Sequence, residues 1–473
     1  MVFSSILFLL YFLPAFLLCY HLVGERQKNF VILVFSLLFY SWGAPKFVFV
    51  LLILTGIDFF VVKKMFRSEE KRKRQFWLVI SICINMGLLF YFKYSNFFVD
   101  NVNVVLAQMG FQNISWTKLV LPIGISFFTF ETLTYSIDAY RKVITPLKKL
   151  PDYYLYIFLF PKLIAGPIVR FSLIEDQMHR RTVSGEDFVA GFLRFAIGLG
   201  KKVLIANTLG LHADQIIALP QNELNSSLAW IGILCYTFQI YFDFSGYSDM
   251  ALGIGRLVGF RFPENFNNPY TSGSITEFWR RWHMTLGMWM REYLYIPLGG
   301  NHVKTKSRLY FNLWIVFLLS GLWHGASWNF VAWGAFHGFF LILDRIFLLK
   351  ILESIWKPIA VLFTFFVVMV GWVLFRIEDF HSIKIFMRAL CNFNFGMADR
   401  FYQIELWVTL FAAIVFSFFT LSGWGKKVQE KFYFAQSGIL RKIPGVLLSI
   451  ALLKLCIAYI TTSGFNPFIY FRF

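Results

Sequence analysis

The chain alternates long apolar runs with short basic stretches, and run length sets the first expectation. A membrane-crossing helix needs about 20 consecutive, mainly apolar residues. Runs of that kind lie at 3–23, 76–98, 153–170, 187–208, 228–252, 309–322, 326–348, 355–375, 403–422 and 443–462. The stretch 30–62 is too long for one span and is interrupted at Trp42-Gly43-Ala44-Pro45, which predicts two elements. Residues 120–140 carry Pro122, Gly124, Glu131 and Asp138 in apolar surroundings, and predict a helix facing the protein interior. The pattern predicts an all-α polytopic membrane protein of roughly ten to thirteen spans.

Residues 261–308 do not fit a span. Arg261, Glu264, Glu277, Arg280, Arg281, His283, Arg291 and Glu292 lie there among tryptophans and tyrosines. Such a segment is too polar to face lipid and too aromatic for a solvated loop. Irregular backbone at membrane depth is tolerated where protein or a water-filled cavity surrounds it, so this stretch predicts a re-entrant or interfacial segment capping a central cavity. No internal repeat and no low-complexity linker divides the chain, which predicts a single membrane domain over residues 1–473.

Composition agrees with the pattern. Hydrophobic residues make up 58% and charged residues only 15%, against roughly a quarter charged in soluble domains, and the mean hydropathy is +0.62. The net charge of +19 does not indicate nucleic-acid binding. Its clusters (Lys63-Lys64, Lys71-Arg72-Lys73-Arg74, Lys148-Lys149, Arg180-Arg181, Lys426-Lys427) fall between apolar runs, where the positive-inside rule puts cytoplasmic loop charge. Five dispersed cysteines suggest neither a disulfide framework nor a metal site. Met1 to Tyr20 lacks a basic leader and a small-residue cleavage site, and reads as a retained first span.

Two histidines stand out against this background. His283 lies in Phe278-Trp279-Arg280-Arg281-Trp282-His283, and His324 in Ser320-Gly321-Leu322-Trp323-His324-Gly325. An ionisable group at membrane depth is a functional-site hypothesis by default, although a neutral histidine tying helices together is an equal reading for either one in isolation.

Seven blocks then carry a family resemblance. They are Leu121-Pro122-Ile123-Gly124-Ile125-Ser126-Phe127, Leu163-Ile164-Ala165-Gly166-Pro167, Tyr241 to Met250, Phe278 to His283, Tyr293 to Asn301, Gly321 to Gly325 and Trp333 to Gly338. The opening Met1 to Ser5 and the ending Pro467 to Phe471 are also similar. In number and order these blocks resemble the membrane-bound O-acyltransferases, in particular the bacterial branch with the alginate O-acetylation membrane subunit. Glu292 stands where that branch suggests Asp.

The resemblance implies a ring of roughly 11 transmembrane helices around a thin centre, a cytosolic funnel, and transfer of an acyl group from a thioester to a hydroxyl. It implies that His324 matches the active-site histidine and that His283, 41 residues upstream, matches the second functional one. Transfer to an alcohol needs a base, for which imidazole is suited. His324 is then the general base or is itself transiently acylated. His283 orients the acceptor, donates to the developing oxyanion or shares the proton work. His337 reads as structural or supporting; the remaining histidines sit at span ends or in loops. Asp243 and Asp249, buried in apolar sequence, suggest salt bridges with Arg280 or Arg281. Glu131 and Asp138, seven apart, predict a shared helix face along the tunnel.

The implied acyl donor is acetyl-CoA, with no bound cofactor or metal. Arg280, Arg281, Lys304 and Lys306 are candidates for the cationic mouth that meets its phosphates. The expected setting is the bacterial cytoplasmic (inner) membrane, with an extracytoplasmic O-acetyltransferase as partner and an alginate-like exported polysaccharide as acceptor. Peptidoglycan O-acetylation and teichoic acid D-alanylation are the sister alternatives; a flippase for a lipid-linked sugar is the alternative of another class.

Topology is directly testable. Residues 63–75 hold seven Lys/Arg against two Glu, so this loop is expected in the cytoplasm. A cysteine introduced at Ser68 should resist an impermeant thiol reagent in intact cells; labelling from outside would reverse the orientation.

Overall fold

The computed structural model describes residues 1–396, 403–430 and 442–463; the closing Pro467 to Phe471 block lies outside them. Among the described residues, 77% are helical. Among the described residues there is no strand, only an isolated antiparallel bridge between Phe266 and Trp282. Backbone hydrogen bonds are thus closed almost wholly within helices, as a chain in lipid requires. Packing divides it into two compact units, residues 1–187 with 254–263, and 188–253 with 264–473.

The first unit contains α1 (Phe8–Leu22), α2 (Glu25–Gly43), α3 (Phe47–Arg67), α4 (Lys71–Gln108), α5 (Ile125–Tyr140), α6 (Leu150–Phe158), α7 (Phe160–Leu163) and α8 (Phe171–His179). The break foreseen at Trp42 to Pro45 falls between α2 and α3. α5 is buried along nearly its whole length, which explains how it carries two carboxylates. The expected span at 153–170 is corrected: α6 ends at Phe158, and only the short α7 precedes irregular backbone. Pro161 lacks the N–H that would continue α6, and Gly166-Pro167 stops α7 from extending.

Buried polar groups lock these helices in register. The Asp58 carboxylate on α3 accepts hydrogen bonds from Ser81 Oγ at 2.5 Å, Asn85 Nδ2 at 3.1 Å and Tyr153 Oη at 2.8 Å, tying α3 to α4 and α6. Glu131 on α5 is paired with Lys162 on α7, both inaccessible to solvent. The other Glu131 oxygen accepts from the Val169 amide at 3.3 Å, and the Lys162 ammonium stands 4.6 Å from the Tyr156 ring centroid.

The second unit contains most of α9 (Gly185–Gly200) and of α11 (Ser226–Leu257), together with α10 (Asn207–Ile217), α12 (Ile275–Arg281), α13 (Met284–Met290), α14 (Lys306–His324), α15 (Trp328–Leu343), α16 (Leu349–Ser354), α17 (Lys357–Arg376), α18 (Phe380–Cys391), α19 (Ile404–Phe418), α20 (Gly423–Gln429) and α21 (Lys442–Ser463). A widened π turn, Lys201–Ala206, joins α9 to α10.

Four helical stretches among the described residues are both long and apolar enough to cross a membrane: Lys71–Gln108, Lys357–Arg376, Ile404–Leu421 and Ile443–Thr462. The chain is a multi-pass membrane protein, but roughly 11 spans is not the number that meets both criteria. Other candidates are shorter or carry charge, as α15 with 16 residues and α3 with Asp58, Lys63 and Lys64 illustrate.

Breaking a buried ion pair on one side leaves an uncompensated charge, at about 3–5 kcal/mol. Lys162→Met alone should therefore depress the unfolding temperature in detergent strongly, and the Glu131→Gln/Lys162→Met double variant should recover part of the loss. A double variant less stable than both singles would refute the pairing.

Candidate active site

His324 is the last residue of α14, and its position follows from how α14 meets α15. The two helices form a hairpin across Gly325-Ala326-Ser327, and they approach backbone to backbone. A Cβ on Gly321 would lie 2.1 Å from the Phe330 carbonyl oxygen, and one on Gly334 2.4 Å from that of Phe317. Small residues permit such crossings in membrane bundles. Asn329, in the first turn of α15, donates to the Leu374 carbonyl at 3.2 Å and so ties the hairpin to α17. The His324 imidazole is buried in an aromatic cage. Its centroid lies 4.9 Å from Trp323, 5.2 Å from Trp333 and 5.3 Å from Phe375, with all three rings near perpendicular to it.

His283 arrives from the segment that resisted assignment as a span. Ser274 caps α12 by accepting from the Glu277 amide at 3.1 Å, and Glu277 reaches back to the Gly273 amide at 2.7 Å. This is a close variant of the capping box. After α12 the chain runs antiparallel to residues 265–267: the Asn267 amide donates to Arg281 O and the Met284 amide to Asn265 O, both at 2.9 Å. Between these bonds His283 adopts φ +45°, ψ 53°. A non-glycine residue in this left-handed region costs about 1–3 kcal/mol and persists where the surroundings over-determine it. Asn265 supplies that constraint, accepting from Thr285 Oγ1 at 2.9 Å and donating to Ser248 Oγ at 3.3 Å.

The result brings the two histidines together. Their ring centroids are 6.4 Å apart. His283 packs against Phe244 at 4.7 Å and Trp323 at 6.0 Å, and neither of its ring nitrogens has a hydrogen-bond partner within the protein. A buried imidazole left in this condition has its hydrogen-bonding capacity available to a substrate.

The carboxylates pair differently from expectation. Asp243 binds Lys202 at 2.6 Å, and Asp249 binds Lys201 at 2.7 Å and Arg194 at 2.8 Å, with Arg194 also reaching Glu264 at 2.6 Å. Arg281 instead pairs with Glu277 at 2.5 Å and donates to Thr271 Oγ1 at 3.0 Å, while Arg280 is exposed. Two consecutive lysines reach carboxylates six residues apart because they sit at the π turn, whose extra residue per turn resets the helical register. Sequence reasoning missed Lys201 and Lys202; two adjacent lysines inside an otherwise apolar stretch were the signal.

Lys304 and Lys306 are exposed at the start of α14. Eighteen residues of helix separate Lys306 from His324, about 27 Å at the usual rise. These cations and the histidine thus mark opposite ends of one helix. Glu131 is engaged with Lys162. Among the described residues, no group of three or more His, Cys, Asp or Glu side chains is arranged to hold a metal ion.

The all-helical architecture is matched by likeness to known membrane proteins. Residues 30–352 match the pattern of the membrane-bound O-acyltransferase (MBOAT) family. The chain is 42% identical over 426 residues to the probable alginate O-acetylase AlgI of Pseudomonas putida, covering 90% of this chain and 87% of that protein. It is 38% identical over 502 residues to the protein of that name from Azotobacter vinelandii, covering 100% of both. A peptidoglycan O-acetyltransferase of Helicobacter pylori is 35% identical, over 83% of this chain and 80% of its own. The protein belongs to the membrane-bound O-acyltransferase family and is an acyltransferase.

The Gly321 crossing is testable on its own. Gly321→Ala should destabilise by about 1–3 kcal/mol through overpacking and displace His324. Gly200→Ala, whose Cβ would meet only Leu452 Cδ2 at 3.6 Å, should be tolerated. Equal unfolding temperatures for the two variants would contradict the close approach.

Proposed function

We propose that this acyltransferase takes acetyl groups from acetyl-CoA on the cytosolic side and passes them across the bacterial inner membrane for O-acetylation of an alginate-like exported polysaccharide. The observation that carries the reading is the meeting of His283 and His324, 41 residues apart in sequence, within one buried aromatic cluster at 6.4 Å. The relatives named as alginate O-acetylases support the acceptor class, since they align along nearly the whole chain. An extracytoplasmic O-acetyltransferase is the proposed partner that completes delivery.

In this mechanism His324 removes the proton from the attacking hydroxyl as its oxygen adds to the thioester carbon, and later returns that proton to the departing thiolate. His283 orients the acceptor hydroxyl or donates to the oxyanion. Neither imidazole needs to change position, since His324 is held by packing and His283 by a hydrogen-bonded turn. Lys304 and Lys306 attract the donor's phosphates electrostatically at the end of α14 remote from the chemistry, with Arg280 and Arg281 as further candidates for the same task. Peptidoglycan as acceptor is the second reading, favoured by the relative from Helicobacter pylori.

His324→Ala should lower acetylation of the cell-surface polymer about 100-fold or more, the contribution of a general base, with the protein accumulating normally in the membrane. His283→Ala should also lower it strongly, with part of the loss from packing. Acetyl content is read separately on exported polysaccharide and on peptidoglycan. Loss confined to peptidoglycan would select the second reading, and wild-type acetyl content in a well-expressed His324→Ala strain would sink the assignment.

A further inference from the structure

Beside His324 lies a cluster of nitrogen-bearing rings that the mechanism above does not use. Trp279 on α12 and Trp333 and His337 on α15 form a triangle of rings. The centroids are 4.9 Å apart for Trp279 and His337, 5.1 Å for Trp333 and His337, and 5.4 Å for Trp279 and Trp333, each pair near perpendicular. Trp333 is also the ring that meets His324 at 5.2 Å. His337 and Trp333 are fully buried. Neither indole Nε1 and neither ring nitrogen of His337 has a hydrogen-bond partner within the protein. Gly371 on α17 faces His337, and a Cβ there would lie 2.5 Å from its Nε2.

A structural reading of these residues leaves four buried polar nitrogens unexplained. Three phenylalanines would fill the same space without desolvating any N–H, and a buried polar group left without a partner is a net cost to folding. The chemistry of the set narrows the ligand. An indole donates and never accepts, and a neutral imidazole adds one donor and one acceptor. Three donors against one acceptor suit a group that mainly accepts, such as a carbonyl oxygen. They suit a cation not at all, and a hydroxyl, which must also donate, less well.

We propose that Trp279, Trp333 and His337 form an oxygen-binding subsite that donates hydrogen bonds to the carbonyl oxygen of the acyl group reacting at His324. This rests on the acyl-transfer reading. When the acceptor oxygen forms its bond to the thioester carbon, its proton passes to His324 and the C=O electron pair moves onto the carbonyl oxygen. The N–H groups stabilise that negative oxygen. The pair then re-forms the carbonyl, the C–S bond breaks, and the thiolate leaves with the proton from His324. The ester and the free thiol are the products, and no other reactant is needed.

The test uses inverted membrane vesicles containing the full chain, with acceptor polysaccharide and extracytoplasmic transferase enclosed and acetyl-CoA supplied outside, and measures the rate of free-thiol release. Trp333→Phe keeps the ring and deletes only the N–H. It should lower the maximal rate about 10- to 100-fold, in the range seen when one oxyanion donor is removed, with KM for acetyl-CoA nearly unchanged. His337→Phe should behave likewise, and His337→Gln, which retains a donor, should recover most of the rate. A purely structural role moves the unfolding temperature without this split. Trp333→Phe and His337→Phe at the wild-type rate, or a His337→Gln as slow as His337→Phe, would overturn the subsite and leave acyl transfer standing. A wild type that releases no thiol from acetyl-CoA would overturn the acyl-transfer reading, and the subsite with it.

Discussion

The crossing of α14 and α15 is the contact on which the second unit's chemistry rests. In lipid, apolar side chains gain nothing by leaving an apolar solvent, so helix pairs are held by close packing and by polar contacts. Gly321 and Gly334 allow one backbone to lie against the carbonyls of the other. That contact fixes where α14 stops, and His324 is the residue at its end. The cage of Trp323, Trp333 and Phe375 is then a consequence of the hairpin rather than a separate construction. A larger residue at either glycine would separate the helices and open the cage as a whole.

His283 is held by the opposite means. No close helix crossing presents it; a short irregular turn does, pinned by Asn265 and by two backbone hydrogen bonds to residues 265–267. The left-handed conformation is a local strain balanced by these contacts. One histidine is therefore set by packing and the other by hydrogen bonding. A perturbation of the glycine crossing and a perturbation at Asn265 act on the two through separate routes.

Much of this was legible in the residues. The Trp42 to Pro45 break reads directly from proline and glycine chemistry, and the density of charge in 261–308 marks that stretch as something other than a span. The histidines could be singled out because imidazole is costly in apolar sequence. What could not be read has a physical reason in each case. Periodicity arguments assume 3.6 residues per turn, and the π turn at Lys201–Ala206 violates this. Asp243 and Asp249 pair with Lys202, Lys201 and Arg194 rather than with Arg280 or Arg281, because burial calls for a cation without saying which one. Pro161 and Gly166-Pro167 end helices inside a run whose hydropathy alone suggests continuity. The left-handed backbone of His283 depends on Asn265, 18 residues earlier, and no local rule connects them.

The ion network of α9 to α11 has a consequence on an evolutionary rather than a mechanistic scale. Lys202 and Asp243 neutralise each other out of reach of water, while Asp249 pairs with both Arg194 and Lys201 and Arg194 also pairs with Glu264. Three positive and three negative groups balance, and a single substitution at Lys202 or Asp243, the fully buried pair, strands a charge in a medium that cannot solvate it. Divergence at positions 202 and 243 must then proceed as a pair, through an intermediate of low fitness. Those two sites are expected to be inherited as one character, while the lipid-facing residues around them drift independently.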